Sequence, residues 1–249
     1  MRTLIVLALT AAAVAVEVPV PAGVDHGPYE RLLQRYVDAR GLIDYAGLAA
    51  APADLAALDA YLADLGAAGE PATGDERVAG LINAYNAYTI RAVLRYDVDP
   101  DGGSFWSHDP FDDRRYRVGG ELVSLDDIEH RALRPAGGYR IHAAVVCAAV
   151  SCPPLWRRAF TADNVDAALD ERFAVWLARA DLNRFQPERD RLAVSKIFDW
   201  FAEDFAQAGG LTAVLARHAP ERYRAWLADP DAGIDIDYLP YDKTINSQR

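Results

Sequence analysis

Tyr29, Leu32, Leu33, Tyr36 and Val37 recur at the three-and-four spacing of an amphipathic helix, and Gly41 follows as a stop. Leu42 to Tyr45 reads as a short strand, and Leu55, Leu58, Leu62 and Leu65 give a second helix over 54–65. Glu76 to Tyr96 is apolar nearly all round, which predicts a buried third helix. Arg115 to Val118 and Glu121 to Val123 flank Gly119-Gly120, a hairpin signal whose turn needs positive φ. Ser124 with Asp127 forms a capping box for a helix ending near Pro135. Ile141 to Val146 is a short apolar run suited to a buried central strand, stopped by Pro153-Pro154.

Further on, 165–180 is an amphipathic helix and Leu192 to Val194 a strand. Ser195 caps a helix over Lys196 to Gln207, whose Ile197, Trp200, Phe201 and Phe205 form an aromatic stripe read as core. Two shorter helices follow at 211–218 and 221–227, and the alternation from Ile234 to Leu239 closes the chain with a strand. About seven helices against four or five short strands, rarely alternating, give a helix-rich α+β fold. It is expected as a single compact domain with a small sheet, made of hairpin 115–123 and central strand 141–147, surrounded by helices.

The first residues lie outside that pattern. Met1-Arg2 is a basic start, Leu4 to Val16 is apolar, and Ala13-Val14-Ala15 fits signal cleavage, so residues 1–15 read as a signal peptide, 16–27 as a linker and 28–249 as the domain. The apolar run is shorter than the ~20 residues that span a bilayer, and no later segment approaches it, so no integral membrane segment is expected after cleavage. The expected location is periplasmic or secreted. A formal charge of −11 without a Lys/Arg cluster argues against nucleic acid as a partner.

Both cysteines, Cys147 and Cys152, and one of five histidines, His142, fall between Arg140 and Leu155. Cys147 sits where the expected strand gives way to a loop, a place that can present a thiol in a cleft. The alternatives are a small buried hydrophobe and a Cys147–Cys152 disulfide. Asn83 and Asn86 share a face of the buried helix; a buried amide without partners costs about 1–3 kcal/mol, so they bind something, either a ligand or loop backbone. Glu129 and His130 form a second polar pair, with Asp126 and Asp127 placed to orient the histidine. An exposed helix face would collect the same residues. There is no CxxC pair, zinc spacing or HExxH motif, and no cofactor is expected.

Asn83-Ala-Tyr-Asn-Ala-Tyr-Thr-Ile90, Leu125-Asp-Asp-Ile-Glu-His130, Arg140-Ile-His142 leading to Cys147, Ser151-Cys-Pro-Pro-Leu155, Ser195 to Phe205 and Tyr241-Asp242 resemble, in this order, the family catalogued as domain of unknown function 547. The resemblance runs from about Tyr29 to the C-terminus. It singles out Asn83 and Asn86, Glu129 and His130, and Cys147; it treats the second cysteine as variable, which weakens the disulfide alternative. Ala149 stands where the family often has serine, and Lys243-Thr-Ile-Asn246 where it has Trp-Ser-Leu-Asn. The resemblance implies no activity, because the family has none assigned.

Two functions of different class fit these residues. One is a thiol-dependent hydrolase or acyl transferase in which Cys147 attacks a carbonyl, His130 takes its proton, Glu129 orients the ring or acts as acid itself, and the side chain of Asn86 or backbone amides receive the oxyanion, with Asn83, His142 and Ser151 around the ligand. His130 is preferred as base because an odd separation on a strand turns His142 away from Cys147. The other is a non-catalytic ligand-binding or protein-interaction module whose polar cluster is structural. A small molecule or peptide is the expected partner of either. The sequence names neither the substrate nor the oligomeric state.

Overall fold

The computed structural model describes residues 18–112 and 116–248. The expected signal peptide and Arg115 of the expected hairpin lie outside them. Among the described residues ten α-helices come in order: α1 (Gly27–Tyr36), α2 (Tyr45–Ala49), α3 (Pro52–Gly66), α4 (Gly74–Arg95), α5 (Arg134–Gly137), α6 (Val165–Leu177), α7 (Ile197–Trp200), α8 (Ala202–Gln207), α9 (Leu211–His218) and α10 (Glu221–Ala228). The strands are β1 (Tyr116–Val118), β2 (Glu121–Val123), β3 (Arg184–Gln186), β4 (Arg191–Val194) and β5 (Asp235–Tyr238). β1 and β2 pair antiparallel as the hairpin. β4 takes β3 antiparallel on one edge and β5 parallel on the other. The fold is the helix-rich α+β domain the periodicity predicts.

Helix α4 is the central post. Fifteen of its residues are buried, from Val78 to Val93, and α1, α3 and the segment after β2 pack around it. A second apolar cluster gathers α6 to α10 and β4 around Phe173, Trp176, Phe198 and Phe205. Residues 18–22, expected as linker, are tied into the first cluster. Val18 and Val20 are buried, and Ala72 N–H donates to the Val20 carbonyl at 2.8 Å. The reason is Gly80 on α4: a Cβ there would come within 2.9 Å of Val20, so the glycine leaves room for that side chain.

The expected central strand 141–147 is not a strand. Gly138–Ala143 forms a 3-10 turn, and the chain then runs irregularly to Cys147. The groups a strand would pair are taken by a side chain: Asn86 Nδ2 donates to the Ala144 carbonyl at 2.8 Å, and Val146 N–H donates to Asn86 Oδ1 at 2.9 Å. Short apolar runs read alike whether a sheet or a buried amide satisfies them.

The C-terminal segment lies alongside this loop. Val150 N–H donates to the Thr244 carbonyl at 2.8 Å and Ile43 N–H to the Asn246 carbonyl at 2.9 Å, while Gln248 Nε2 reaches the carbonyls of Tyr36 and Leu42. Gly41, at φ +80°, allows the Pro153-Pro154 turn to approach; a Cβ there would sit 2.5 Å from Leu155 N.

Candidate functional site

The capping box forms as expected: Asp127 N–H donates to Ser124 Oγ at 3.0 Å and Ser124 N–H to Asp127 Oδ2 at 2.9 Å. The cap opens into a π-helix, Asp127–Leu133, in which Arg134 N–H reaches back five residues to the Glu129 carbonyl. Wider turns of this kind concentrate at functional sites. Here the turn presents Glu129 inward and leaves His130 exposed. Asp127, held by the cap and paired with Arg131, does not serve His130, and Asp126 Oδ1 is 3.8 Å from its Nε2, beyond hydrogen-bond reach.

His142 has the carboxylate that was expected for His130. It is 2% exposed, its Nε2 lies 2.8 Å from Asp204 Oδ2, and its ring stacks on Phe201 with centroids 4.0 Å apart. Asp204 also takes a two-point contact from Arg134, at 2.8 and 2.7 Å. Burial raises the Asp204 carboxyl, but the hydrogen bonds from His142 and Arg134 outweigh it and hold the group well below the usual carboxylate range. Burial holds the His142 imidazole below its ordinary value against the pull of Asp204, so the neutral ring donates its Nε2 proton to the carboxylate. Its other nitrogen, Nδ1, is 4.0 Å from Glu129 Oε1. Burial raises the Glu129 carboxyl, with His130 and a hydrogen bond from Tyr85 acting against it.

These groups open on a cavity of about 490 Å³. Tyr85, Trp106, Phe111, Trp200, Phe201 and Tyr241 supply aromatic wall; Asp109, Asp112, Asp126 and Glu129 supply carboxylates; His130, His142 and Cys147 complete the polar lining. Trp106, Trp200 and Tyr241 stand with ring centroids 4.7 to 6.0 Å from one another. The stripe read as core is therefore divided. The helix expected over Lys196–Gln207 breaks at Phe201 into α7 and α8, burying Phe198 and Phe205 and leaving Trp200 44% exposed beside the cavity. Asp126 accepts burial next to Asp112, with which it shares a hydrogen bond, and its carboxyl is pushed up to about 7. Among the described residues no three His, Cys, Asp or Glu side chains cluster closely enough to hold a metal ion.

Cys147 lines this cavity and is bonded to Cys152. The disulfide, weakened as an alternative by the family resemblance, is the pairing found. Tyr241 Oη lies 3.1 Å from Cys147 Sγ and 3.2 Å from Cys152 Sγ, and Cys147 N–H donates to Cys152 Sγ at 3.1 Å. Trp106 Nε1 donates to the Cys147 carbonyl at 3.2 Å. Ala148, immediately after, adopts φ +58°, a left-handed conformation that costs a non-glycine residue about 1–2 kcal/mol.

The asparagines lie elsewhere. Asn83 spans the Phe160 backbone, donating to its carbonyl at 2.8 Å and accepting from its N–H at 3.0 Å, as Asn86 spans Ala144 and Val146. Neither lines the cavity, and each amide has its oxygen and one N–H committed to backbone. Ser151 Oγ accepts from Asp242 N–H at 2.9 Å, fastening the C-terminal segment. The structure thus gathers Cys147, His142, Glu129 and His130 at one cavity and assigns Asn83, Asn86 and Ser151 to backbone clamping. Sequence reasoning missed Asp204, Trp106, Trp200 and Tyr241. Asp204 and Trp200 stand in the Ser195–Phe205 motif, which was the available signal.

Residues 70–177 match the model of the family described as Protein of unknown function, DUF547. The match includes Asn83, Glu129, His142 and Cys147 but is narrower than the resemblance, leaving Asp204 and Tyr241 outside it. No curated protein and no solved structure matches the chain.

Proposed function

We propose that this member of the DUF547 family is a small-molecule-binding protein whose ligand is an organic cation seated in the cavity beside Cys147. One observation carries the reading: aromatic faces and four carboxylates line the same space. Aromatic faces attract ammonium groups through the ring quadrupole, by about 2 kcal/mol once the pair is desolvated. The carboxylates among the lining residues then orient the charge. Lys243 places its Nζ 4.4 Å from the Trp106 centroid, a cation already held against this wall, which supports the reading.

The test is the choice between charged and neutral isosteres. Benzyltrimethylammonium should quench tryptophan fluorescence and bind at least about tenfold tighter than its neutral tert-butyl analogue, the neopentylbenzene isostere. Equal affinities, or no saturable binding of either, would refute the proposal. The proposed location is extracytoplasmic, supported by the signal-like residues 1–15 and by a disulfide, which persists in oxidising compartments.

A second reading is favoured by the Asp204–His142 pair sharing a cavity with Cys147. In the reduced chain, a Cys147 thiolate generated by His142, with Asp204 holding the ring, would be the nucleophile of a hydrolase or acyl transferase. Iodoacetamide labelling of the reduced native protein tests it. Selective modification at Cys147, lost in His142→Gln, supports it; labelling that is unselective, absent or indifferent to His142 refutes it.

A further inference from the structure

The two sulfurs of the disulfide are not equivalent. Cys147 is partly exposed and lines the cavity, whereas Cys152 is 4% exposed beneath the Pro153-Pro154 turn. An incoming thiol can therefore reach only the Cys147 sulfur. The sulfur behind it has a backbone donor of its own, and the two sulfurs share a hydroxyl. Cys152 Sγ has the Cys147 N–H at 3.1 Å, and the Tyr241 hydroxyl lies between the sulfurs, 3.1 Å from Cys147 Sγ and 3.2 Å from Cys152 Sγ. Burial and the nearby Glu129 raise the Tyr241 hydroxyl, so it stays protonated and able to donate. The backbone N–H, with the shared hydroxyl free to turn to whichever sulfur carries charge, stabilises the negative charge Cys152 would carry on leaving.

We infer that Cys147–Cys152 is an exchange-active disulfide rather than a structural staple: Cys147 is the sulfur attacked by substrate thiols, and Cys152 is the leaving sulfur. A substrate thiolate attacks Cys147 Sγ, forming a substrate–Cys147 disulfide as the Cys147–Cys152 bond breaks, and the bonding pair leaves on Cys152 Sγ as a thiolate held by the Cys147 N–H and Tyr241 Oη. A second substrate thiolate then attacks the substrate sulfur of the mixed disulfide, releasing Cys147 as a thiolate. The two substrate thiols are oxidised to one disulfide by two electrons, the pair is reduced, and the two substrate protons end on the two cysteines. The carboxylate lining selects the substrate class, disfavouring anionic thiols and admitting neutral or amine-bearing ones.

The experiment follows reduction of the native full chain. Its rate should rise in proportion to dithiothreitol concentration without levelling off, and cysteamine should act faster than the anionic mercaptoethanesulfonate at equal thiolate concentration. In Cys152→Ser the remaining thiol should react with an aromatic disulfide reagent at least about tenfold faster than the thiol of Cys147→Ser. Tyr241→Phe, which removes one donor from the leaving sulfur, should slow reduction by about tenfold. A reduction rate that saturates at the rate of global unfolding, or equal reactivity of the two single-cysteine variants, overturns the inference. The wild-type concentration dependence needs no variant to fold. It is also independent of whether any organic cation binds, so each proposal can fail alone.

Discussion

The Nε2 of His142 and Oδ2 of Asp204 lie 2.8 Å apart across 62 residues of chain, and this pair fixes the inner wall of the cavity. It ties the 3-10 turn Gly138–Ala143 to α8 and, through Arg134, to the end of the π-helix. Three elements without mutual strand pairing are thereby held in register by one carboxylate.

Removing that carboxylate should be costly. Asp204→Ala leaves the Arg134 guanidinium and the His142 N–H without their partner and should lower stability by about 3 kcal/mol in urea titrations. Because Asp204 is held below the usual carboxylate value, its contribution is present above the unfolded-state value near pH 4 and is lost as pH falls further. The deficit of Asp204→Asn relative to wild type should therefore be full at pH 7 and shrink below about pH 4. His142 works in the same direction at higher pH: its imidazole is held below 6.5, so the unfolded state takes up the proton first and stability falls as pH drops through that value.

Asp126 has the opposite sign. With a folded value near 7 and an unfolded value of 3.8, the folded state binds more protons between them, so stability declines as pH rises through that window. Its side chain is about one-third exposed, and solvent screening reduces the penalty to about 1 kcal/mol. Asp126→Asn should raise the melting temperature by about 2–4 °C at pH 8 and hardly at all at pH 4, by calorimetry. The same ionisation should strengthen organic-cation binding between pH 6 and 8 in the wild type and leave it flat in the variant.

Asn86→Ala strands the Ala144 carbonyl and the Val146 N–H in the interior. Two buried groups at about 1–3 kcal/mol each predict a loss of about 2–6 kcal/mol, measured as a lower urea midpoint with unchanged slope. A stabilised or neutral Asn86→Ala would refute the clamp.

Trp200→Ala should separate binding from folding. The ring is 44% exposed, so stability should change by less than about 1 kcal/mol, while affinity for an organic cation falls about tenfold by calorimetric titration. Loss of stability with retained affinity would place the ring in the core instead.

The contrast between legible and illegible features comes from sequence distance. Ser124 and Asp127 are one turn apart, and Gly119-Gly120 sit between two strands, so the cap and the hairpin arise from local chemistry. Ile141 to Val146 carries no period, and the partner of its backbone is an amide on α4, 58 and 60 residues away, invisible to any window. The preference for His130 over His142 depended on that strand; once the segment is a 3-10 turn, alternation no longer sets where the imidazole points. Trp200 and Phe205 belong to one aromatic stripe in the sequence, and only the break at Phe201 sends one toward the cavity and the other inward.

The outer wall has a kinetic meaning. Tyr241 touches Cys147 across 94 residues, and Gln248 reaches Leu42 across 206. Contacts of such separation require the longest loops to close and are expected among the last to form. Until they do, the aromatic trough lacks Tyr241 and the sulfurs lack its hydroxyl. Recovery of ligand binding during refolding should therefore lag behind recovery of helix, marking the moment at which residues 241–248 close on Leu42 and on the loop that carries Cys147.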